Sequence, residues 1–182
     1  KQQILLGAGA LLLIGITHRI LQLSLLWPEL AIAILQTTNN QMMQLLPQAM
    51  MQEHPWWGLW FLQQAPPIPN AIWALALALF DSPLKLAIAL ILLNGLFSIM
   101  TAVLTALLLR RVDVHWWLAV LLSMMFLLGS DLLLLEYHTM GQFYYETLTM
   151  LLCVLSCHAA LSLLRNGKWQ FALLLGFCVA AL

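Results

Sequence analysis

A run of apolar, uncharged residues at 86–109 sets the first limit on the fold. Its 24 residues contain no Asp, Glu, Lys or Arg. A helix needs about 20 such residues to cross the hydrocarbon core of a bilayer. Over the whole chain only 8% of the residues are charged and 63% are hydrophobic. Because soluble domains carry about 25% charged residues, the sequence predicts an integral membrane protein.

Four further apolar segments predict additional spans, at about 3–26, 114–135, 143–164 and 169–182. The expected fold is therefore all-α, a polytopic transmembrane helical bundle that forms a single domain. The first segment has no small-residue cleavage site, so we expect it to be retained as a span. The chain ends inside an apolar run, which predicts that it is incomplete.

The segment 66–80 is too short for a crossing. It has about 15 residues, begins with prolines and is followed by Asp81 and Lys85, so it suits an interfacial or re-entrant helix better. Methionine and leucine recur at partly helical spacing over 39–52, which predicts amphipathic helices on a membrane surface. We therefore expect 27–84 to form an outer-face loop with juxtamembrane helices.

The basic residues support this topology. If 66–80 does not cross and the N-terminus is cytoplasmic, most of the seven Lys and Arg residues lie at cytoplasmic ends, namely Lys1, Arg110, Arg111, Arg165 and Lys168. If 66–80 does cross, the last four lie outside, against the positive-inside rule. The predicted topology places 27–84 and the turn 136–142 on the outer face of the membrane.

Composition also limits the partners and the metal chemistry. The formal net charge is zero and the chain has no basic arm, which argues against nucleic acid as a partner. The cysteines Cys153, Cys157 and Cys178 lie in apolar helical stretches. We expect them to be buried small side chains, since only His158 is near enough to join the first two as a ligand.

Charged residues near the first span are candidates for binding or catalysis. Arg19 lies about two-thirds of the way along that span, where a charge costs a few kcal/mol unless it is paired or snorkels. It either holds an anionic lipid phosphate or acidic partner, or snorkels to the outer headgroups. Glu29 follows Pro28, so it is either a helix-start carboxylate or a general base.

The aromatic stretch 53–73, "EHPWWGLWFLQQAPPIPNAIW", combines a carboxylate with tryptophans. Glu53 and His54 precede Trp56, Trp57 and Trp60. A carboxylate beside an aromatic wall suits a sugar, because aromatic faces pack on the apolar side of a pyranose ring. Tryptophan is also expected at any membrane interface without a sugar, so both interpretations stay open.

A second polar group occupies 130–146, "SDLLLLEYHTMGQFYYE". Asp131, Glu136, His138 and Glu146 are four titratable side chains at a span–turn–span junction. Carboxylates placed in this way can bind a divalent cation such as Mg²⁺ or Mn²⁺, or orient a phosphate through it. Ordinary interfacial polarity explains the same residues equally well.

Three stretches resemble the N-terminal half of bacterial membrane glycosyltransferases of the C type (GT-C), the superfamily of the protein mannosyltransferases and the lipid A aminoarabinose transferase. They are "LLPQAMMQEHPWWGLWFLQQAPPIPNAIWALALALF" (45–80), "LLNGLFSIMTAVLTALLLRRV" (92–112) and "LLLLEYHTMGQFYYETLTMLLCVLSCHAALSLLRNGKW" (132–169). The first is similar to a surface helix, a proline-rich signature and a short apolar helix. The second is similar to a span with a basic end, and the third to the junction often written Tyr-Glu-Asn-x-x-Phe-Tyr, followed by a helix with a basic end.

The resemblance implies transfer of a sugar from a polyprenyl-phosphate-linked donor to an acceptor at the extracytoplasmic face, with a carboxylate as base. It implies a catalytic acid in the first outer loop, for which Glu29 and Glu53 are the candidates, because the family's usual aspartate is missing. Gln63 stands where the family has histidine. The expected substrate-binding residues are Arg19, His54, Trp57, Trp60, Gln64, Glu136, His138 and Tyr145.

A non-catalytic membrane subunit is the alternative function. In that case the glutamine- and tryptophan-rich loop would dock partner subunits of a larger membrane complex. A transporter is disfavoured, because few charges lie at mid-membrane positions and no inverted repeat is visible.

Overall fold

The structure, a computed structural model, describes residues 2–26, 53–54, 71–72, 75–76, 78–80, 83–136 and 143–181. In these residues there are five long helices and no β-strand, so the all-α class is confirmed for this part of the chain. The helices are α1 (Gln2–Leu26), α2 (Pro83–Arg111), α3 (Trp116–Glu136), α4 (Phe143–Asn166) and α5 (Trp169–Ala181).

Two helical stretches are long and apolar enough to cross a membrane. They are Leu92–Arg111 in α2 and Thr147–Asn166 in α4, each of 20 residues. Shorter apolar stretches lie in the other helices, at Leu5–His18, Trp116–Met125 and Trp169–Ala180. The two longest apolar stretches thus belong to helices that pack directly against each other.

The ends of α2 carry clear helix-boundary signals. It begins at Pro83, three residues before the predicted start, because proline has the backbone angle of a first helical residue and needs no N–H donor there. It ends at Arg111. The last turn contains Arg110 and Arg111, whose positive charges complement the negative end of the helix dipole. The turn into α3 places Asp113 at a φ of 64°, a left-handed conformation that Asp adopts more readily than most residues.

Two glycines of α1, at which the neighbouring helices approach closely, show the direction of α1. Gly7 faces the indole of Trp116 at the start of α3, and Gly15 faces Leu127 farther along α3 and Ile99 in the middle of α2. Between the two glycines, Leu11 is buried in one cluster with Ala106, Trp116 and Val120. Helix α1 is therefore parallel to α3 and antiparallel to α2.

Hydrogen bonds between α2 and α4 show that these two helices run parallel. Asn94 pairs with Thr147, 53 residues later, and the carbonyl of Leu104 pairs with His158, 54 residues later. A near-constant offset along both helices requires that they run in the same direction. The C-terminal ends of α2 and α4 consequently lie side by side.

Helix α5 packs on α4 in the opposite direction. Cys178, near the end of α5, is buried against residues near the start of α4, Leu148 and Leu152. Phe97 of α2 and Ile72 pack on the same cluster. This cluster joins the first half of α2, the start of α4 and the chain segment before α2.

The described part of 71–80 contains helical residues, and the N–H of Phe80 donates to the carbonyl of Ala76 at 3.1 Å. Phe97, which shares a cluster with Ile72, lies 14 residues after Pro83, or about 21 Å along α2. Phe80 comes only three residues before Pro83. The segment therefore runs back along the first half of α2.

The described helices bury some polar side chains and leave many large apolar ones exposed. The buried polar residues are Asn94, Ser98, Thr101, Ser123, Thr147 and Ser162, beside a larger set of buried apolar residues that form the core. Large apolar side chains are exposed on every helix, for example Leu13, Leu96, Leu121, Leu164 and Phe177. Soluble proteins rarely expose large contiguous apolar surfaces.

The cysteine prediction was wrong at two of three positions. Cys178 is buried, whereas Cys153 and Cys157 are exposed. The reason is helical geometry, since the buried residues of α4 share one side of the helix. Cys153 and Cys157 lie on the opposite side, together with the exposed Met150 and Leu164.

We predict that Gly7→Ala lowers the free energy of unfolding by about 1–3 kcal/mol, as overpacking does. A methyl group there overlaps the Trp116 ring, whereas one at Gly9 meets no neighbour among the described atoms. Gly9→Ala is the matched control and should leave stability unchanged or raise it by up to about 1 kcal/mol, through helix propensity. Chemical unfolding in detergent measures both. Equal stabilities would show that α1 does not pack on α3 at Gly7.

Candidate functional site

The helix directions sort the connecting segments to two ends of the bundle. One end, here the basic end, carries Arg110, Arg111, Arg165 and Lys168 and the first residues of α1, α3 and α5. The other, here the far end, holds the last residues of α1 and α3 and the first residues of α2 and α4. Segments 27–82 and 137–142 connect helix ends at the far end. Both stretches that carry candidate acids thus start and finish there.

Glu53 and His54 are the predicted site residues whose side chains the structure describes. They are adjacent in the chain, Glu53 is helical, and both side chains are exposed. A carboxylate and an imidazole in this position are accessible to a ligand, and each can accept a proton. The other residues predicted for the first outer loop, Glu29, Trp57, Trp60 and Gln64, lie outside the described residues.

Three further predicted site residues are located by their backbone. Arg19 lies in α1, one turn beyond Gly15 and toward the far end. Glu136 is the last residue of α3, and Tyr145 lies in the first turn of α4. Because α3 ends and α4 begins at the far end, the structure brings Glu136 and Tyr145 to the same end of the bundle. His138, between them in the chain, lies outside the described residues.

A buried polar seam between α2 and α4 was not predicted from the sequence. At its far-end side, the hydroxyl of Thr147 donates to Oδ1 of Asn94 at 2.5 Å. Both side chains are buried. An asparagine within an otherwise apolar run is the signal that could have indicated it, because a buried amide needs a partner.

The seam continues toward the basic end through His158. Its Nε2 lies 2.7 Å from the carbonyl oxygen of Leu104. A carbonyl can only accept, so Nε2 carries the proton and donates. This contact gives His158 a structural role on the α2 side of α4, away from the exposed Cys153 and Cys157.

Two arginines close the seam at the basic end. Nη1 of Arg111 donates to the hydroxyl of Ser162 at 2.7 Å, and Nη2 of Arg165 donates to the carbonyl of Arg111 at 2.6 Å. Nη1 of Arg110 donates to the carbonyl of Val114 at 2.7 Å, which closes the turn between α2 and α3. The bond from Arg165 satisfies the carbonyl of the last residue of α2, which a helix end leaves without an intrahelical partner.

No group of three or more His, Cys, Asp or Glu side chains that could hold a metal ion occurs in the described part of the chain. The divalent-cation hypothesis concerns Asp131, Glu136, His138 and Glu146, whose side chains lie outside that part. It therefore stays a prediction.

Comparisons with known proteins find no family model, no curated protein and no solved structure that matches this chain.

We predict that Thr147→Val lowers the free energy of unfolding by about 1–3 kcal/mol, because it removes the donor to a buried amide oxygen. Thr101→Val is the matched control. Thr101 is also buried, but its hydroxyl donates to the carbonyl of Phe97 within its own helix, at 2.8 Å. Unfolding in detergent should show the larger loss for Thr147→Val. A similar loss in the two variants would contradict a stabilising contact between α2 and α4 at this position.

Proposed function

We propose that the chain is a multi-pass membrane protein of a bacterial inner membrane. We further propose that it is a C-type glycosyltransferase, or part of one, with its site at the far end. The observation that carries the proposal concerns the connecting segments 27–82 and 137–142, which contain or adjoin the candidate site residues and lie at the same end of the bundle. Both join helix termini on the side opposite the basic end.

The distribution of side chains supports the membrane location. Burial of one large aliphatic side chain is worth about 1.5–3 kcal/mol, and leucines are exposed along α1, α2, α3 and α5. In water this surface would drive aggregation, whereas in lipid it faces a matching solvent. Polar groups then pair with one another inside the bundle, as Asn94 and Thr147 do.

Charge and aromatic residues support the orientation. The basic end carries four Lys and Arg residues, which the positive-inside rule assigns to the cytoplasm. Exposed tryptophans lie at the same end of the bundle, Trp117 in the first turn of α3 and Trp169 at the start of α5. Aromatic residues of this kind concentrate at membrane–water interfaces. The far end then faces the extracytoplasmic side, where polyprenyl-linked sugars are the expected donors of this family.

The depth of the segment before α2 supports a groove at the far end. If Arg111 marks the cytoplasmic boundary, a hydrocarbon core of about 30 Å reaches about 20 residues back along α2. Phe97 then lies inside the core, and Ile72 shares its cluster. A segment that reaches this depth suits the wall of a site for a lipid-linked substrate.

The proposed roles follow the chemistry of each residue. Glu29 or Glu53 takes the proton from the acceptor, and tryptophans Trp57 and Trp60 pack on the sugar. Arg19 pairs with the donor phosphate, and the remaining polar candidates orient the substrate, namely His54, Gln64, Glu136, His138 and Tyr145.

Cysteine labelling tests the orientation. We predict that Glu53→Cys reacts with a membrane-impermeant maleimide in intact spheroplasts, and that Lys168→Cys reacts only after permeabilisation. Both native side chains are exposed, so access depends on the membrane alone. The parent chain gives the background from its own cysteines. Labelling of both positions from outside would contradict the proposed topology.

Turnover of a polyprenyl-phosphate-linked sugar tests the enzyme. We predict that at least one of Glu29→Gln and Glu53→Gln lowers turnover by about 10²–10⁴-fold, the usual contribution of a general base. Asp113→Asn is the control, because it removes a carboxylate at the opposite end of the bundle. An active parent with two fully active glutamine variants would exclude these bases. A chain without turnover that copurifies with other membrane subunits would support the non-catalytic alternative.

A further inference from the structure

The junctions at the basic end concentrate positive charge. Residues 104–118 and 158–171 together contain four cationic side chains, Arg110, Arg111, Arg165 and Lys168, but a single carboxylate, that of Asp113. The helix directions bring both junctions to one end of the bundle. No described carboxylate forms an ion pair with Arg111 or Arg165, so their charge is not neutralised within this part of the structure.

Two of these guanidinium groups are held in place. Arg111 is anchored by its bond to Ser162, and Arg165 by its bond to the carbonyl of Arg111. Each guanidinium has five N–H donors, and these contacts use one nitrogen of each group. Nη1 of Arg111 also donates to the carbonyl of His158 at 3.5 Å. The other nitrogens of the two groups have no hydrogen bond to the described residues. A fixed pair of guanidinium forks is well suited to the oxygens of a phosphate.

A third cation lies beside this pair. Helix α4 ends at Asn166, and the next residue, Gly167, turns the chain with a φ of 63° and donates its N–H to the carbonyl of Leu163 at 2.8 Å. The left-handed conformation suits glycine, which has no Cβ. The turn is followed directly by Lys168, with an exposed side chain and no described side-chain hydrogen bond.

Apolar surface adjoins the cations. Trp169, which follows Lys168 directly in the chain, is 68% exposed. A free phosphate ion would use only the cations. A phospholipid would use both surfaces, because its phosphate meets the cations while its acyl chains lie along the indole.

We propose that the C-terminal ends of α2 and α4 form a binding site for the headgroup of an anionic phospholipid. Arg111, Arg165 and Lys168 bind the headgroup, and Trp169 contacts the chains. The inference rests on the proposed membrane location and is independent of glycosyl transfer. Basic clusters of this kind, beside the cytoplasmic end of a span, attract anionic lipids.

Native mass spectrometry of the delipidated chain in detergent tests the site. The probes are dioleoyl-phosphatidylglycerol and dioleoyl-phosphatidylcholine, which differ in headgroup but not in acyl chains. We expect the anionic lipid to bind more tightly. Lys168→Gln and Arg165→Gln should each weaken its binding about fivefold, as the loss of one cation near a lipid surface implies.

Lys85→Gln is the matched control. It removes one positive charge from an exposed side chain at the other end of α2, and binding should stay unchanged. If Arg165→Gln does not fold, Lys168→Gln carries the test alone, because the side chain of Lys168 makes no described contact. If Lys85→Gln and Lys168→Gln weaken lipid binding equally, binding depends on the net charge of the protein and not on this site, which would overturn the proposal.

Two further outcomes overturn the proposal. Equal affinity for the two lipids would remove headgroup selectivity, and displacement of phosphatidylglycerol by millimolar inorganic phosphate would indicate a simple anion site. Recovery of the chain in the soluble fraction of cells would instead reject the membrane location itself. The two failures are thus distinguishable.

Discussion

The hydrogen-bonded contact between α2 and α4 is the constraint on which the described architecture depends. Asn94 and Thr147 pair at one end and Arg111 and Ser162 at the other, so the two helices have one direction and one register. Because α2 and α4 run in the same direction, α3, which connects them in the sequence, must run in the opposite direction. The basic helix ends then meet on one side, and the segments with candidate acids leave from the other.

The helices themselves could be predicted from the sequence, because length and apolar composition are local properties. The shared position of Arg111 and Arg165 also followed from a physical rule, since basic residues collect on one side of a membrane. The helix ends differ from the predicted ones by a few residues, as at Pro83, where a favourable first residue extends α2 beyond its uncharged run.

Pairing between distant residues could not be predicted in this way. The partner of Asn94 lies 53 residues away, and a single sequence contains no signal for that separation. The prediction of buried cysteines failed for a related reason. Cys153 and Cys157 are as apolar as their neighbours, so their exposure depends only on which face of α4 packs against other helices. Of the candidate site, the exposure of Glu53 and His54 and the shared end of Glu136 and Tyr145 are visible.

The separation of the paired residues also has a consequence for biosynthesis. Asn94 is synthesised 53 residues before Thr147, a delay of roughly 3–10 s at about 5–20 residues per second. During that interval the amide of α2 has no partner from α4, and leaving it alone in hydrocarbon is costly. In the proposed membrane location, α2 would therefore stay at a polar boundary until α4 is synthesised.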